Sequence, residues 1–300
     1  MDFKQLRSFV TVVKYGNFTT AAAKLHISQP TVSTHLHSLE EEFGQPLVLR
    51  TAKRVRPTSF GNKMYEQAVS ILSMHDRMMQ STLERGEAIY LGASSIPATY
   101  ILPEALSDYR RNHPAARFII HQGDSQDISD GVFDGVYDLG LVGMPVRGES
   151  ISCIPFCSDR IVLITPKNEA YAKLDQHQPV CIASLLEDAE VVLRESGSGT
   201  RAETSRILKE AGIEERDLNV VARQNDQQAI KNLVEYGYGI SFASWRAVRQ
   251  RVRDGRLLAF DIADADTHRH FYIIRRKSAI ASDEATQLMA YLRLRYGGDL

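Results

Sequence analysis

Val32, Leu36, Leu39 and Phe43 recur at spacings of four, three and four, which sets them on one stripe of a helix. The opposite face carries Gln29, Thr31, Ser33, Thr34 and His37. Ser28 stands where it can cap the free N–H groups of that helix, and Pro30 falls in the first turn, where no N–H is needed. Upstream, Thr20 to Leu25 predicts a helix of small residues and His26–Ile27 a short turn. Ala21, Ala22 and Ala23 let two helix backbones approach closely. Any hairpin of two helices needs a turn and an apolar stripe. Here the outer face also offers short polar groups that reach base edges without filling a groove. The pattern is that of a helix-turn-helix, whose second helix enters the DNA major groove.

The segment that follows, QPLVLRTAKRVRPTSFG, joins β-prone Val48 and Leu49 to the cations Arg50, Lys53, Arg54 and Arg56, and Pro57 ends the run. A short basic hairpin beside a recognition helix is a wing that grips phosphates or enters the minor groove. A basic run is otherwise a solvated surface; its place beside the helix pair favours the wing. The candidate DNA contacts are therefore Gln29, Pro30, Thr31, Ser33, Thr34 and His37 with Arg50, Lys53, Arg54 and Arg56.

Across residues 58–86, Met64, Ala68, Ile71, Leu72, His75, Met79 and Leu83 recur at three- and four-residue spacing, and Gly86 ends the run. This predicts a long amphipathic helix, too long and too polar on its far side to be a core helix of a small head. Its seam suits a second copy or its own downstream domain. A helix-turn-helix usually needs two copies to read a two-fold site, which favours the second copy. From Ala88 onward strands alternate with helices. AIYLGAS, ARFIIHQG, DLGLVG, RIVLITP, VVLRE, LNVVARQ, ISFAS and RHFYIIRR read as strands. That alternation implies parallel sheets with helical crossovers.

Composition changes the picture in one respect. The formal net charge of −1 hides an asymmetry: residues 1–65 hold nine Lys/Arg against four Asp/Glu, leaving 27 against 33 for the rest. A basic head on an acidic body suggests nucleic-acid contact at one end. The 300 residues suggest two or three domains. No apolar run approaches the ~20 residues that span a bilayer, and no secretion signal is visible, so a cytoplasmic location is expected. Cys153, Cys157 and Cys181 form no disulfide framework or zinc pair and read as buried structural thiols.

Candidate chemistry in the body centres on RESGSGTRAE, residues 194–203. Gly197 and Gly199 free the backbone after a strand, and a helix starts near Thr200. Its free N–H groups and positive dipole end favour an anion. Ser196, Ser198 and Thr200 add hydroxyls, and Arg201 either meets the ligand or holds Glu195. The motif is neither a P-loop nor a dinucleotide fingerprint; a glycine loop that merely caps a helix is the plainer reading. Ser94, Ser95 and Ile96 follow the first body strand, where open α/β sheets bind ligands. Gly143 and the pair Gln224–Asn225 end later strands in equivalent places. No serine lies in a nucleophile elbow. The His268–Arg269–His270 run lacks the further ligands a metal site needs.

From MDFKQLRSFV through NFTTAAAKLHISQPTVSTHLHSLEEEF to RPTSFG, and in the order of its later segments, the chain resembles the LysR-type transcriptional regulators. The words ASSIPATYILP and ESGSGTR also resemble a subgroup linked to selenium metabolism, and related loops occur in regulators of sulfur and carbon assimilation. The family commonly has Arg after the recognition-helix Ser; Thr34 stands there in this chain, and His35 or His37 is left to substitute. Val48 replaces the usual wing aromatic. The resemblance implies an α+β architecture: a winged helix-turn-helix over 1–58, a linker and dimerisation helix over 59–87, and an effector-binding domain over 88–300. That domain would have the type 2 periplasmic-binding fold, with subdomain I at 88–160 and 267–300 and subdomain II at 161–266. The implied partners are double-stranded DNA, a small anionic metabolite or oxyanion, further copies of the chain as dimer or tetramer, and RNA polymerase, with no cofactor, metal or membrane. A solute receptor without a DNA role, and an enzyme carrying a DNA-binding head, are the rival readings. Residues 1–65 speak against the first, and the lack of a catalytic constellation against the second.

Overall fold

In the computed structural model, which describes residues 1–50, 55–81, 88–148, 150–195, 197–277 and 283–299, the chain divides into two compact units: Met1–Glu87 with Phe133–Val136, and Ala88–Val132 with Tyr137–Leu300.

The first unit begins with α1 (Phe3–Tyr15), α2 (Phe18–Leu25) and α3 (Gln29–Phe43). Asp2 and Gln5 form a capping box on α1, Asn17 caps α2, and Ser28 caps α3 by accepting from the Thr31 N–H. His26 ends α2 in the left-handed region at φ 55°, which turns the chain sharply into α3. Phe9 and Val12, Ala21 and Ala22, and Val32, Leu36 and Leu39 bury one shared core. Ala23, grouped with its neighbours on sequence, is exposed instead. The hairpin of β1 (Val48–Arg50) and β2 (Val55–Pro57) is antiparallel. Glu40 anchors it, accepting from the N–H groups of Leu47 at 2.8 Å and Val48 at 3.2 Å.

Helix α4 (Ser59–Ser81) corrects one expectation. Its first seventeen residues serve the head: Ala68 and Leu72 are buried in the head core, Met64 packs on it, and the His75 ring lies 4.1 Å from the Phe3 ring. A three-helix head is too small to enclose its own apolar surface, and α4 supplies the missing wall. A second stripe of Ile71, Met74 and Met78 is exposed, at 40%, 71% and 60%. The Met79 side chain, Leu83 and Gly86 lie outside the described residues.

In the second unit β3 (Ala88–Ser94) runs parallel to both β4 (Arg117–Gly123) and β5 (Leu139–Val142). A π-helical turn (Pro97–Ile101), α5 (Leu102–Asn112) and α6 (Ser125–Phe133) connect them. Strand β6 (Ile151–Pro166) then pairs with β11 (His268–Arg276) along its first part, and with β9 (Ser241–Ser244) and β10 (Leu257–Phe260) along its second. Between them come α7 (Glu169–Ala172), α8 (Ile182–Leu186), β7 (Glu190–Arg194), α9 (Gly199–Glu210), β8 (Asn219–Gln224), α10 (Gln227–Glu235) and α11 (Trp245–Arg253); α12 (Asp283–Tyr296) follows β11. Strands β7 and β8 are parallel.

The expectation of parallel sheets therefore holds for β3–β5 and β7–β8 and fails for β6 with β9, β10 and β11, which are antiparallel. The cause is topological: β6 leaves one lobe and β11 returns to it, so the two run in opposite directions. Strand β6 also starts at Ile151, nine residues before the run RIVLITP. Two lobes result. One core gathers Leu91, Leu141, Phe156 and Phe271; the other gathers Leu163, Val191, Ile207 and Phe242. Cys157 is buried, but Cys153 is only half-buried and Cys181 is exposed and donates to Asp264 at 3.3 Å, so the reading of three buried thiols is corrected at both. Among the described residues no helix is long and apolar enough to cross a membrane.

Candidate functional site

On α3, Gln29, Pro30, Thr34 and His37 are exposed and Thr31 and Ser33 half-buried. The Ser28 and Thr31 hydroxyls lie 2.7 Å apart, and Thr34 Oγ1 donates to the Pro30 carbonyl at 3.0 Å. These bonds fix rotamers at the helix N-terminus while Gln29 extends outward. His35 does not join the face: its Nδ1 lies 2.8 Å from Ser8 Oγ and ties α3 to α1. This corrects its proposed role in place of an arginine, and leaves His37, beside Glu41 at 3.4 Å. On the hairpin Arg56 is exposed. Only the backbone of Arg50 is described, and Lys53 and Arg54 lie outside the described residues.

The second unit brings two lobes together around a small inner cavity. Ser94 ends β3 and Ile96 follows it; Gly143 follows β5 and donates its N–H to Ser125 Oγ at 3.3 Å. From the other lobe come Ser198, Gly199 and Thr200 at the start of α9. Ser198 makes no side-chain cap, so the first N–H groups of α9 are not covered from within. The lobes meet closely here. A Cβ on Gly199 would lie 3.1 Å from the Gly143 backbone, and one on Gly197, at φ +93°, would lie 2.7 Å from Asp124 Oδ2. Only glycine serves at Gly197, for both reasons. The space in which a water-sized group can move is about 10 Å³, close to the least that holds one water.

Two buried arginines frame this cavity. Arg269 of β11 donates through Nε and Nη2 to Asp159 Oδ2 at 3.0 and 2.8 Å, and through Nη1 to Thr200 Oγ1 at 3.3 Å. It also stacks over Phe271 at 4.7 Å. Arg194 donates through Nε and Nη2 to Glu195, each at 2.8 Å, and through Nη1 to Gln227 at 2.9 Å. Each guanidinium thus carries its own carboxylate, as burial requires. Among the described residues no group of three or more His, Cys, Asp or Glu is placed to hold a metal ion.

Residues 3–62 match the bacterial regulatory helix-turn-helix protein family, lysR type, and residues 84–296 match the LysR substrate binding domain. The chain belongs to the LysR family of transcriptional regulators. It is 30% identical over 275 residues to an HTH-type transcriptional regulator of Methanocaldococcus jannaschii, covering 90% of this chain and 91% of that one. It is 31% identical over 257 residues to the HTH-type regulator YeiE of Escherichia coli, covering 86% and 85%. In fold it resembles a mutant OxyR of Corynebacterium glutamicum bound to hydrogen peroxide, with a TM-score of 0.62 at 23% identity over 99% of this chain and 92% of that one. LysR regulators bind DNA and small effectors and form oligomers; they are not a family of enzymes.

In this LysR-family chain the structure gathers Ser94, Ser95, Ile96, Gly143, Ser198, Gly199 and Thr200 around the inner cavity. Ser95 also borders an outer cavity of about 360 Å³, with Thr99 and Tyr100 on one side and Asn225 and Gln227 on the other. Beside it Lys231 donates to Tyr100 Oη at 2.5 Å and to the Ala247 carbonyl at 2.9 Å. Burial, aided by repulsion from Arg251, brings the Lys231 pKa down to about 8. Two expected ligand contacts are corrected. Arg201 pairs with Glu215 and donates to Ser205 at 2.9 Å, turning away from the cavity; nor does it hold Glu195, which Arg194 takes. Gln224 accepts from the N–H groups of Asn225 at 2.8 Å and Asp226 at 3.3 Å, so its amide closes its own turn. Ser196 lies outside the described residues.

Sequence reasoning missed Arg194, Arg269, Asp124 and Ser125. Arg269 left a usable signal: it alternates with Phe271 and Ile273, and all three are buried. A charge on the core face of a strand requires a partner. Asp124 and Ser125 left none, because helix α6 gains its place at the cavity by packing beside β5, where Ser125 accepts from the Gly143 N–H, a contact across eighteen residues.

Proposed function

We propose that this regulator reads DNA through the exposed face of α3 and responds to a small, singly charged anion that enters the inner cavity as the lobes part, since the closed space holds no more than about one water. The observation that carries the effector reading is the convergence there of five hydroxyls (Ser94, Ser95, Ser125, Ser198, Thr200) with the start of α9. Arg194 and Arg269 are already neutralised by Glu195 and Asp159. Asp124 also lines the cavity, its Oδ1 accepting from the Asp127 N–H at 2.8 Å, so the positive charge left to meet a ligand is the dipole end of α9, worth roughly half an elementary charge. A monocarboxylate or a singly charged oxyanion suits that better than a polyanion. The ligand would tie β3, β5 and α9 together and bias the closure of the lobes about β6 and β11. The reading extends to DNA-bound dimers or tetramers acting on RNA polymerase, with the exposed Ile71–Met74–Met78 stripe of α4 as the contact between copies.

Thr200→Val tests the cavity. It removes the hydroxyl that accepts from Arg269 and should weaken the effector response by about tenfold, while operator affinity without effector stays unchanged in a gel-shift titration. A wild-type response would place the effector elsewhere. Gln29→Ala tests the DNA face. Discrimination between operator and scrambled duplex should fall by roughly one order of magnitude, the worth of one bidentate base contact. Equal weakening on both duplexes would remove Gln29 from base readout.

A further inference from the structure

A third cavity, of about 260 Å³, lies away from the cleft, on the strands that cross between the lobes. Strand β6 contributes Ser158 and Arg160, α11 contributes Trp245, Arg246 and Arg249, and β11 contributes His268. We propose that it is a second anion site, built for the phosphate group of a small molecule and separate from the ligand site in the cleft.

The case rests on which cations have partners. Helix α11 is strongly basic, WRAVRQRVR. Arg251 pairs with Glu235 at 3.0 Å, and Arg256, just beyond the helix, pairs with the same carboxylate at 2.6 Å. Around the cavity Arg160 is held by Asp261 at 2.8 Å, and His268 by Asp266 at 3.2 Å. Asp159 borders the cavity too, but its carboxylate is taken by Arg269 at 2.8 Å. Arg246 and Arg249 remain. Among the described residues the Arg246 guanidinium donates only to the neutral Ser158 carbonyl, at 3.1 and 3.0 Å, while its backbone N–H meets Asp159 Oδ1 at 3.5 Å. Arg249 is exposed and, among the described residues, has no ion-pair partner. Two like charges three residues apart on a helix share a face and repel. A dianion between them reverses the sign of that interaction, and guanidinium forks match phosphate oxygens two at a time. Arg160 lies 4.7 Å over the Trp245 ring, which stiffens the cavity's far wall.

The contrast with the cleft is chemical. There each arginine carries a carboxylate and the fit is to a monoanion; here two guanidinia are uncompensated and the fit is to a doubly charged group. The position also matters. A phosphate bound here would join α11 to β6, one of the two strands about which the lobes move, so it would bias the same closure that the cleft ligand acts on.

Trp245 is the only tryptophan of the chain, so fluorescence excited at wavelengths that tyrosine does not absorb reports on this cavity. Inorganic phosphate titrated into the full-length protein, with ionic strength held constant by potassium chloride, should give a saturable fluorescence change. Arg249→Gln should shift its midpoint to about tenfold higher phosphate, the loss of one charge-assisted contact. Thr200→Val should leave the midpoint unmoved, which separates this site from the cleft. In parallel, phosphate should raise the melting temperature of the effector domain in the wild type and much less in Arg249→Gln. No change beyond the chloride control would overturn the proposal. So would a response that Thr200→Val abolishes and Arg249→Gln retains, which would put the phosphate in the cleft.

Discussion

Asp159→Ala is expected to lower the stability of the effector domain by about 3–5 kcal/mol, the cost of leaving a buried charge without its partner. Asp159 and Arg269 have side-chain exposures of 1% and 2%, so neither can turn to water. With the carboxylate gone, Arg269 keeps only the Thr200 hydroxyl at 3.3 Å and the Phe271 ring. Neither neutralises a guanidinium. The pair also joins β6 to β11 and, through Thr200, to the start of α9, so the loss falls on the strands that connect the lobes. Guanidinium chloride unfolding followed by Trp245 fluorescence isolates the effector-domain transition. The double variant Asp159→Leu/Arg269→Met should recover most of the loss, because an apolar pair of similar volume carries no desolvation cost. A loss under about 1 kcal/mol for the single variant would show that Arg269 finds another partner, and would end its assignment as the fixed post of the cavity.

Gly61→Ala should cost the DNA-binding head about 3 kcal/mol, at the upper end of what overpacking a tight contact does. Gly61 sits in the first turn of α4. A Cβ there would fall inside the van der Waals sphere of the Leu47 carbonyl oxygen, with Thr58 Oγ1 close on another side at 3.2 Å. That carbonyl cannot move freely, since it accepts from the Thr58 N–H at 3.0 Å. The Gly61 N–H in turn donates to Thr58 Oγ1 at 2.8 Å, and the same hydroxyl donates to the Pro46 carbonyl at 2.8 Å. The hairpin and α4 are thus locked through one glycine and one threonine. The head should melt earlier by hydrogen exchange of α1 and α3 amides, and affinity should fall alike on operator and scrambled duplex. That uniform loss distinguishes a folding defect from the altered discrimination expected of Gln29→Ala. Unchanged exchange in α3 would mean that the wing shifts to admit the methyl group.

The two units differ in how much of each is legible in the sequence. The head was legible almost whole. Ser28, Pro30 and the Val32–Leu36–Leu39–Phe43 stripe state a helix start and a buried face within sixteen residues, and each of those signals is local. The body was legible as alternating elements, but α11 and β10 were not anticipated. In α11 four arginines stand beside four apolar residues; Trp245, Val248 and Val252 do fall at helical spacing, a local signal that the basic run masks. The cleft was half legible. Ser94, Gly143 and Thr200 each end a strand or begin a helix, which is a local property. Arg269 needed its partner Asp159, 110 residues away, before its burial made sense. Arg201 and Gln224 were misplaced for the converse reason: nearby groups, Glu215 and the Asn225 N–H, satisfied them first.

By itself the amino-acid order determined the recognition helix, the wing and the strand-helix alternation of the body, since caps, turn residues and apolar periods act within a few residues of one another. Tertiary structure alone decided which arginines are neutralised and which are left over, because a carboxylate partner is chosen by distance in space. Arg269 found Asp159 in the interior, where an unpaired charge is intolerable, and Arg194 took its neighbour Glu195; Arg246 and Arg249 did not find one, because at the crossover water is at hand to solvate them.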